Sequence, residues 1–155
     1  MVEPFVNKED VLKRKGGVFP KGLLSLADII GAVKQNANIG DAGALTCFVG
    51  QTRRTSEDGR STAKLEIEAF DEKANETLET IAQEIAQQTG IVDVRIYHAT
   101  GTFEIGEDLV YVIVTGGHRE ETFRALQEAV ERYKNEAQVW KKEYLTTGES
   151  YWTTH

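Results

Sequence analysis

Apolar residues along this chain recur at two spacings, and the switches between them predict the elements. Leu26, Ile29, Ile30 and Val33 fall on one helical face, and Ser25-Leu-Ala-Asp28 ahead of them reads as a capping box with Asp as the acid. Gly40 and Gly43 close that region. Gly43-Ala-Leu-Thr-Cys-Phe-Val-Gly50 is short and mostly apolar, which predicts a buried strand. Lys64-Leu-Glu-Ile-Glu-Ala-Phe70 alternates with period two, which predicts a half-exposed strand. The polar stretch 51–62 between them reads as a mobile, arginine-bearing hairpin tip.

Ala74, Leu78, Ile81, Ala82 and Ile85 form the next helical stripe, and Gly90 can stop it. Ile91 to Tyr97 reads as a strand, and 101–108 as a connection. Leu109-Val-Tyr-Val-Ile-Val-Thr115 is the most strand-like run, broken by Gly116-Gly117. From Arg119 a helix is expected with Phe123, Leu126, Val130, Tyr133 and Ala137 facing the sheet. Val139–Leu145 and Ser150–Thr153 flank Thr-Thr-Gly-Glu as a C-terminal hairpin. The order strand, strand, helix, strand, strand, helix predicts an α+β fold. Its sheet is mostly antiparallel, with helices on one face. Residues 1–24 hold both prolines, Pro4 and Pro20, and read as a charged, irregular extension in which Asp10 to Lys15 can form a short helix. Residues 25–155 read as a single domain.

Composition narrows the function. The chain has 155 residues, 40% hydrophobic and 28% charged, with a net charge of −7. That balance argues against broad binding to nucleic acid or an anionic membrane, which needs a dominant positive field. A single cysteine, Cys47, rules out an intrachain disulfide and suits a reducing compartment. Inside an apolar strand, it is expected to be a core thiol. No run approaches the ~18 apolar residues of a membrane span. Lys8, Lys13, Arg14 and Lys15 occur early without an apolar segment, so no signal peptide is expected and the cytoplasm is the expected location.

Against that acidic background, Tyr133-Lys-Asn-Glu-Ala-Gln-Val-Trp-Lys-Lys-Glu-Tyr144 sets three lysines around aromatic residues. These are either solvated surface lysines or ammonium groups gathered in a pocket. If the helix ends near Ala137, the chain turns and Lys134 and Lys141 can converge. Gly116-Gly117-His118-Arg119 joins a strand to a helix start, where open backbone N–H groups and an arginine fork favour an anion. The bland reading there is an ordinary turn. Arg53 and Arg54 leave the first strand and are either solvated or folded over an anion. His98 ends its strand and is expected to be structural. No histidine and carboxylate spacing suits a metal.

Taken together, Phe48-Val-Gly-Gln-Thr-Arg53, Leu65-Glu-Ile-Glu-Ala-Phe70, His98 with Gly101, Val114-Thr-Gly-Gly-His-Arg119 and Tyr133-Lys134 with Trp140-Lys-Lys-Glu143 resemble the large, catalytic subunit of molybdopterin synthase. The likeness runs from about Gly43 to Trp152. It implies an α/β hammerhead fold and a sulfur-transfer enzyme of molybdenum cofactor biosynthesis. The implied substrate is cyclic pyranopterin monophosphate. The implied sulfur donor is the C-terminal thiocarboxylate of a small ubiquitin-like partner. The implied assembly is a homodimer within a heterotetramer, with no cofactor and no metal. Carried over by motif, Lys134 and Lys141 are the expected catalytic residues. They join Gln51, Thr52, Arg53, His118, Arg119, Lys142 and Glu143 around the substrate, against Tyr133 and Trp140. In the family the His-Arg pair can come across the dimer interface. Gln138 and Ala99 depart from the family pattern, which has proline and a basic residue near those points. The chain also stops at His155 without the longer basic tail of some relatives. A non-catalytic module that binds a phosphorylated ligand through Arg53, His118 and Arg119 is the alternative.

Overall fold

The computed structural model describes residues 6–153. Pro4 and the rest of residues 1–5, and residues 154–155, lie outside the described residues. In chain order the elements are α1 (Lys8–Lys13), β1 (Gly16–Pro20), α2 (Leu26–Lys34), β2 (Ala44–Gln51), β3 (Thr62–Ala69), α3 (Asp71–Ala86), β4 (Ile91–Glu104), β5 (Asp108–Gly116), α4 (Arg119–Glu136), β6 (Val139–Leu145) and β7 (Ser150–Thr153). The seven strands form one sheet in the order β2-β5-β4-β3-β6-β7, with β1 beside β4. Every pairing is antiparallel except β1 with β4. α3 and α4 pack against the sheet and against each other. This is the α+β architecture that the pattern predicts.

Local chemistry explains several boundaries. Ser25 accepts from the Asp28 N–H at 3.1 Å and Asp28 accepts from the Ser25 N–H at 2.9 Å, so the capping box starts α2 as expected. α3 buries Ala74, Leu78, Ile81, Ala82 and Ile85, the predicted stripe. The β6–β7 hairpin also forms.

Other elements differ from expectation. β2 and β3 are not a hairpin: β2 pairs with β5, while β3 pairs with β4 and β6. Loop 52–61 therefore crosses between distant parts of the sheet. β2 is an edge strand, so its apolar run is only half-covered and Cys47 is exposed rather than a core thiol. β4 runs on to Glu104, because after its pairing with β5 ends it takes β3 as a new partner. α4 buries Thr122, Ala125, Ala129 and Tyr133, a stripe shifted from the expected one, and Phe123 is 59% exposed. Small residues let the helix sit close to the sheet, while Leu126 and Val130 pack at its flank.

Residues 8–24 are not irregular. β1 adds a parallel strand to β4, and Val11, Val18, Phe19 and Leu24 join the common core. Gly16 is required here, because any Cβ would collide with the Leu78 carbonyl of α3. A buried network fastens this segment. Arg95 donates to Asp93 Oδ1 at 3.0 Å, to the Leu12 carbonyl at 3.1 Å and to the Tyr97 hydroxyl at 3.1 Å. Lys15 and Asn36 also bind Asp93, at 3.2 Å and 3.1 Å. Burial would raise the Asp93 carboxyl, but Arg95, Asn36 and Lys15 hold it below its ordinary pKa.

Candidate functional site

β2, α4 and β6 end near one another, and a cleft of about 570 Å³ opens between them. Phe48, Val49, Gly50 and Gln51 come from the end of β2, and Arg53 and Glu57 from the loop that follows. The last turns of α4 supply Glu131, Tyr133, Lys134 and Asn135, while Lys141 comes from β6 and His98 from β4. A recess of about 80 Å³ continues from it, with Glu143, Tyr151 and Thr153 in its wall. α4 ends at Glu136, and Ala137 takes extended backbone. The chain turns there, and that turn brings Lys134 and Lys141 to the same cleft.

The aromatic wall differs from the expected one. Tyr133 is in it, buried, and meets the His98 ring edge-on at 5.9 Å. Burial pushes the Tyr133 hydroxyl well above its ordinary pKa. His98 Nδ1 donates to the Ala99 carbonyl at 2.9 Å. Trp140 lies on the other face of β6, and Phe48 stands in its place. Lys134 Nζ is 5.9 Å from the Phe48 ring centroid, in cation–π range. The expectation for His98 was structural only; here it both packs and faces the cleft.

Strand alternation sorts the lysines of β6. Lys141 and Glu143 face the site, while Lys142 points the opposite way and lies 5.1 Å from the Tyr144 ring and 5.7 Å from the Trp152 ring. Lys142 is therefore not in the cleft. Glu143 is buried, accepting from Thr62 Oγ1 at 2.6 Å and from the Tyr151 hydroxyl at 2.8 Å, so it braces the recess. Thr52 is buried too. Its hydroxyl donates to the Glu107 carbonyl at 3.1 Å, which anchors the loop rather than leaving a group for ligand. Burial pushes the Lys141 ammonium below its ordinary pKa, with Lys134 and Arg53 acting the same way and Glu57 and Glu143 opposing them.

His118 and Arg119 are not in this cleft. They begin α4, whereas Lys134 is near its end, fifteen residues or about 22 Å further along the helix. They line a separate cavity of about 560 Å³ with Gly43, Ala44, Gly117 and Glu121. His118 Nδ1 lies 3.1 Å from Glu121 Oε1. One chain thus carries two cationic places, one at each end of α4.

Glu57 and Glu131 carried no sequence signal, and Phe48, though part of the resemblance motif, none for an aromatic cleft wall. Glu57 is one acid in an aperiodic polar loop, and Phe48 reads as ordinary strand core.

Fold and cleft together give an α+β protein in which Arg53, Lys134 and Lys141 line one cleft between a helix end and a sheet end. The profile of the MoaE protein family matches residues 23–136, and the chain belongs to that family. It is 38% identical to a probable molybdopterin synthase of Haloferax volcanii over 72% of this chain and 42% of that protein. It is 37% identical to a molybdopterin synthase catalytic subunit of Aspergillus niger over 72% of this chain and 62% of that protein. The chain thus matches less than two-thirds of the length of these two relatives. The crystal structure of molybdopterin synthase from Staphylococcus aureus superposes with a TM-score of 0.76 at 28% identity, covering 92% of this chain and 98% of that one. The family profile starts at residue 23, so α1 and β1 lie outside it, while Asn36, Asp93, Arg95 and Tyr97 of the buried network lie within it.

Proposed function

We propose that the chain is the catalytic subunit of a molybdopterin synthase, working in the cytoplasm. It converts cyclic pyranopterin monophosphate to molybdopterin with sulfur from the C-terminal thiocarboxylate of a small ubiquitin-like partner. The observation that carries this reading is the convergence of Arg53, Lys134 and Lys141 on one aromatic-walled cleft. The phosphate ester and the donor tail are both anions, and fixed cations lower the cost of bringing them together. An ammonium in the cleft can also donate a proton to a leaving oxygen. A binding module built on Arg53, His118 and Arg119 is a poorer fit, since Arg53 is grouped with the lysines and not with that pair.

His118 and Arg119 reach a lysine cleft only from a second copy. The homodimer is therefore part of the reading, within a heterotetramer that includes the small partner. The exposed edge of β2, with Leu45, Phe48 and Val49 half-covered, supports such a pairing. All the cleft residues lie in 25–155, and residues 8–24 are a buttress to that domain.

The test is incubation of the chain with the cyclic pterin substrate and a thiocarboxylated partner, with detection of the dithiolene product. Product is expected with the thiocarboxylate and not with the plain carboxylate. No product from the complete mixture overturns the reading.

A further inference from the structure

The cleft gathers cations, yet a carboxylate from the loop after β2 lines it as well. Glu57 lines both the cleft and the recess, as Arg53 and Lys141 do. Its place is set by a closed turn, not by the mobile tip that the sequence suggested. Buried Ser56 donates its N–H to the Arg60 carbonyl at 2.8 Å, and its hydroxyl accepts from the Arg60 N–H at 3.1 Å. Gly59, at φ +87°, allows the reversal. Arg60 then donates to Asp58 at 2.8 Å and to Glu149 at 3.3 Å, and its guanidinium lies 5.3 Å from the Tyr151 ring centroid. The turn is thus fastened to the β6–β7 hairpin that carries Lys141.

The surroundings of the Lys141 ammonium pull its pKa in both directions. Burial, Lys134 and Arg53 all favour its neutral form, and Glu57 opposes them more than Glu143 does. Both Glu143 oxygens already accept hydroxyl hydrogen bonds. The remaining titratable groups around the cleft are Glu131 and Tyr133 of α4, His98 of β4 and, in the recess, Tyr151 of β7. Glu57 acts on Lys141 through space, with no hydrogen bond between them among the described residues. A ligand group can therefore come between the two.

We propose that Glu57 is a positioning residue of the cleft, a built-in counter-ion to Lys141 in the empty site that gives way when an anion arrives. The inference rests on the reading of the cleft as an anion site. The arriving anion takes over as the counter-ion of Lys141. Until then the carboxylate weakens the hold of the site on simple anions.

Glu57→Gln tests this with two readouts that need no turnover. One is the titration of the Lys141 ammonium by NMR, and the other is the affinity for inorganic phosphate at neutral pH. Lys141 is expected to titrate at lower pH in Glu57→Gln, and phosphate to bind about two- to fivefold tighter, as suits a partly exposed charge pair. Glu149→Gln loosens the same turn but keeps the Glu57 charge, and is expected to change neither. Unchanged titration and affinity in Glu57→Gln overturn the proposal. So does an equal shift in Glu149→Gln, which would assign the effect to the fold of the turn. If the wild-type chain transfers no sulfur yet Lys141 shifts as described, the inference stands and only the reaction falls.

Discussion

β4 passes between two charged regions that use the same residue types to opposite ends. On one face, Asp93, Arg95 and Tyr97 alternate into a closed network in which Arg95 fills the acceptors around it and Asp93 collects three donors. On the other side of the fold, Arg53, Lys134 and Lys141 line open space together with Glu57. The first region is complete within the chain, so its charges hold the N-terminal segment in place. The second borders an open cleft, so its charges are not closed off by the chain itself. A buried charge whose partners are already present serves structure, while the proposed function gives the cleft cations an anion to meet.

Asp93→Ala should break the closed region and have the largest effect. It leaves the Arg95 guanidinium buried without its carboxylate, which costs about 3–5 kcal/mol. Urea unfolding measures it, and a loss below ~1 kcal/mol, the range of an exposed pair, contradicts the assignment. The pH dependence follows from the lowered Asp93 pKa. A depressed folded-state value gives stability that is complete above the unfolded value near ~4 and lost as pH falls through the folded one. The variant should lack that acid limb.

Lys134→Arg should leave the closed region and the melting temperature alone while lowering turnover by about 100-fold, because arginine does not give up its proton. Near-normal product formation would leave only a generic positive charge at that position. Arg119→Ala should weaken substrate binding by about 1.5–3 kcal/mol, the worth of a charge-assisted hydrogen bond. Calorimetric titration measures it. If the cleft is finished by a second copy, mixing Arg119→Ala with Lys134→Ala protomers should restore part of the activity that each lacks alone. No recovery in mixed dimers would separate the two ends of α4 functionally. The smallest effect belongs to Lys142→Arg. That side chain lies over Tyr144 and Trp152, away from the cleft. Stability should change by less than about 0.5 kcal/mol, and the assay should show near-wild-type turnover.

Sequence determined what local chemistry can carry. The Ser25–Asp28 capping box, the Ala74–Ile85 stripe, the Leu109–Thr115 strand and the turn after Glu136 are each set within a few residues by hydrogen bonding and period. The convergence of Lys134 with Lys141 was only left open by the sequence, because it needs both the local helix end and the pairing of β6 with β3. Tertiary structure alone decided which strands pair. Alternation in Leu65–Phe70 shows two faces but names no partner, so β2 and β3 looked like a hairpin. It also decided what is covered. Asp93, Arg95 and Tyr97 alternate with apolar residues and so resemble a solvated strand face, until α1 and β1 fold over them. Cys47 sits in an apolar run and yet faces outward, because no strand lies beyond β2. Burial depends on neighbours remote in sequence, and no local pattern records them. For the same reason Glu57, one acid among many in a polar loop, became a cleft residue only when its turn was fastened to the hairpin bearing Lys141.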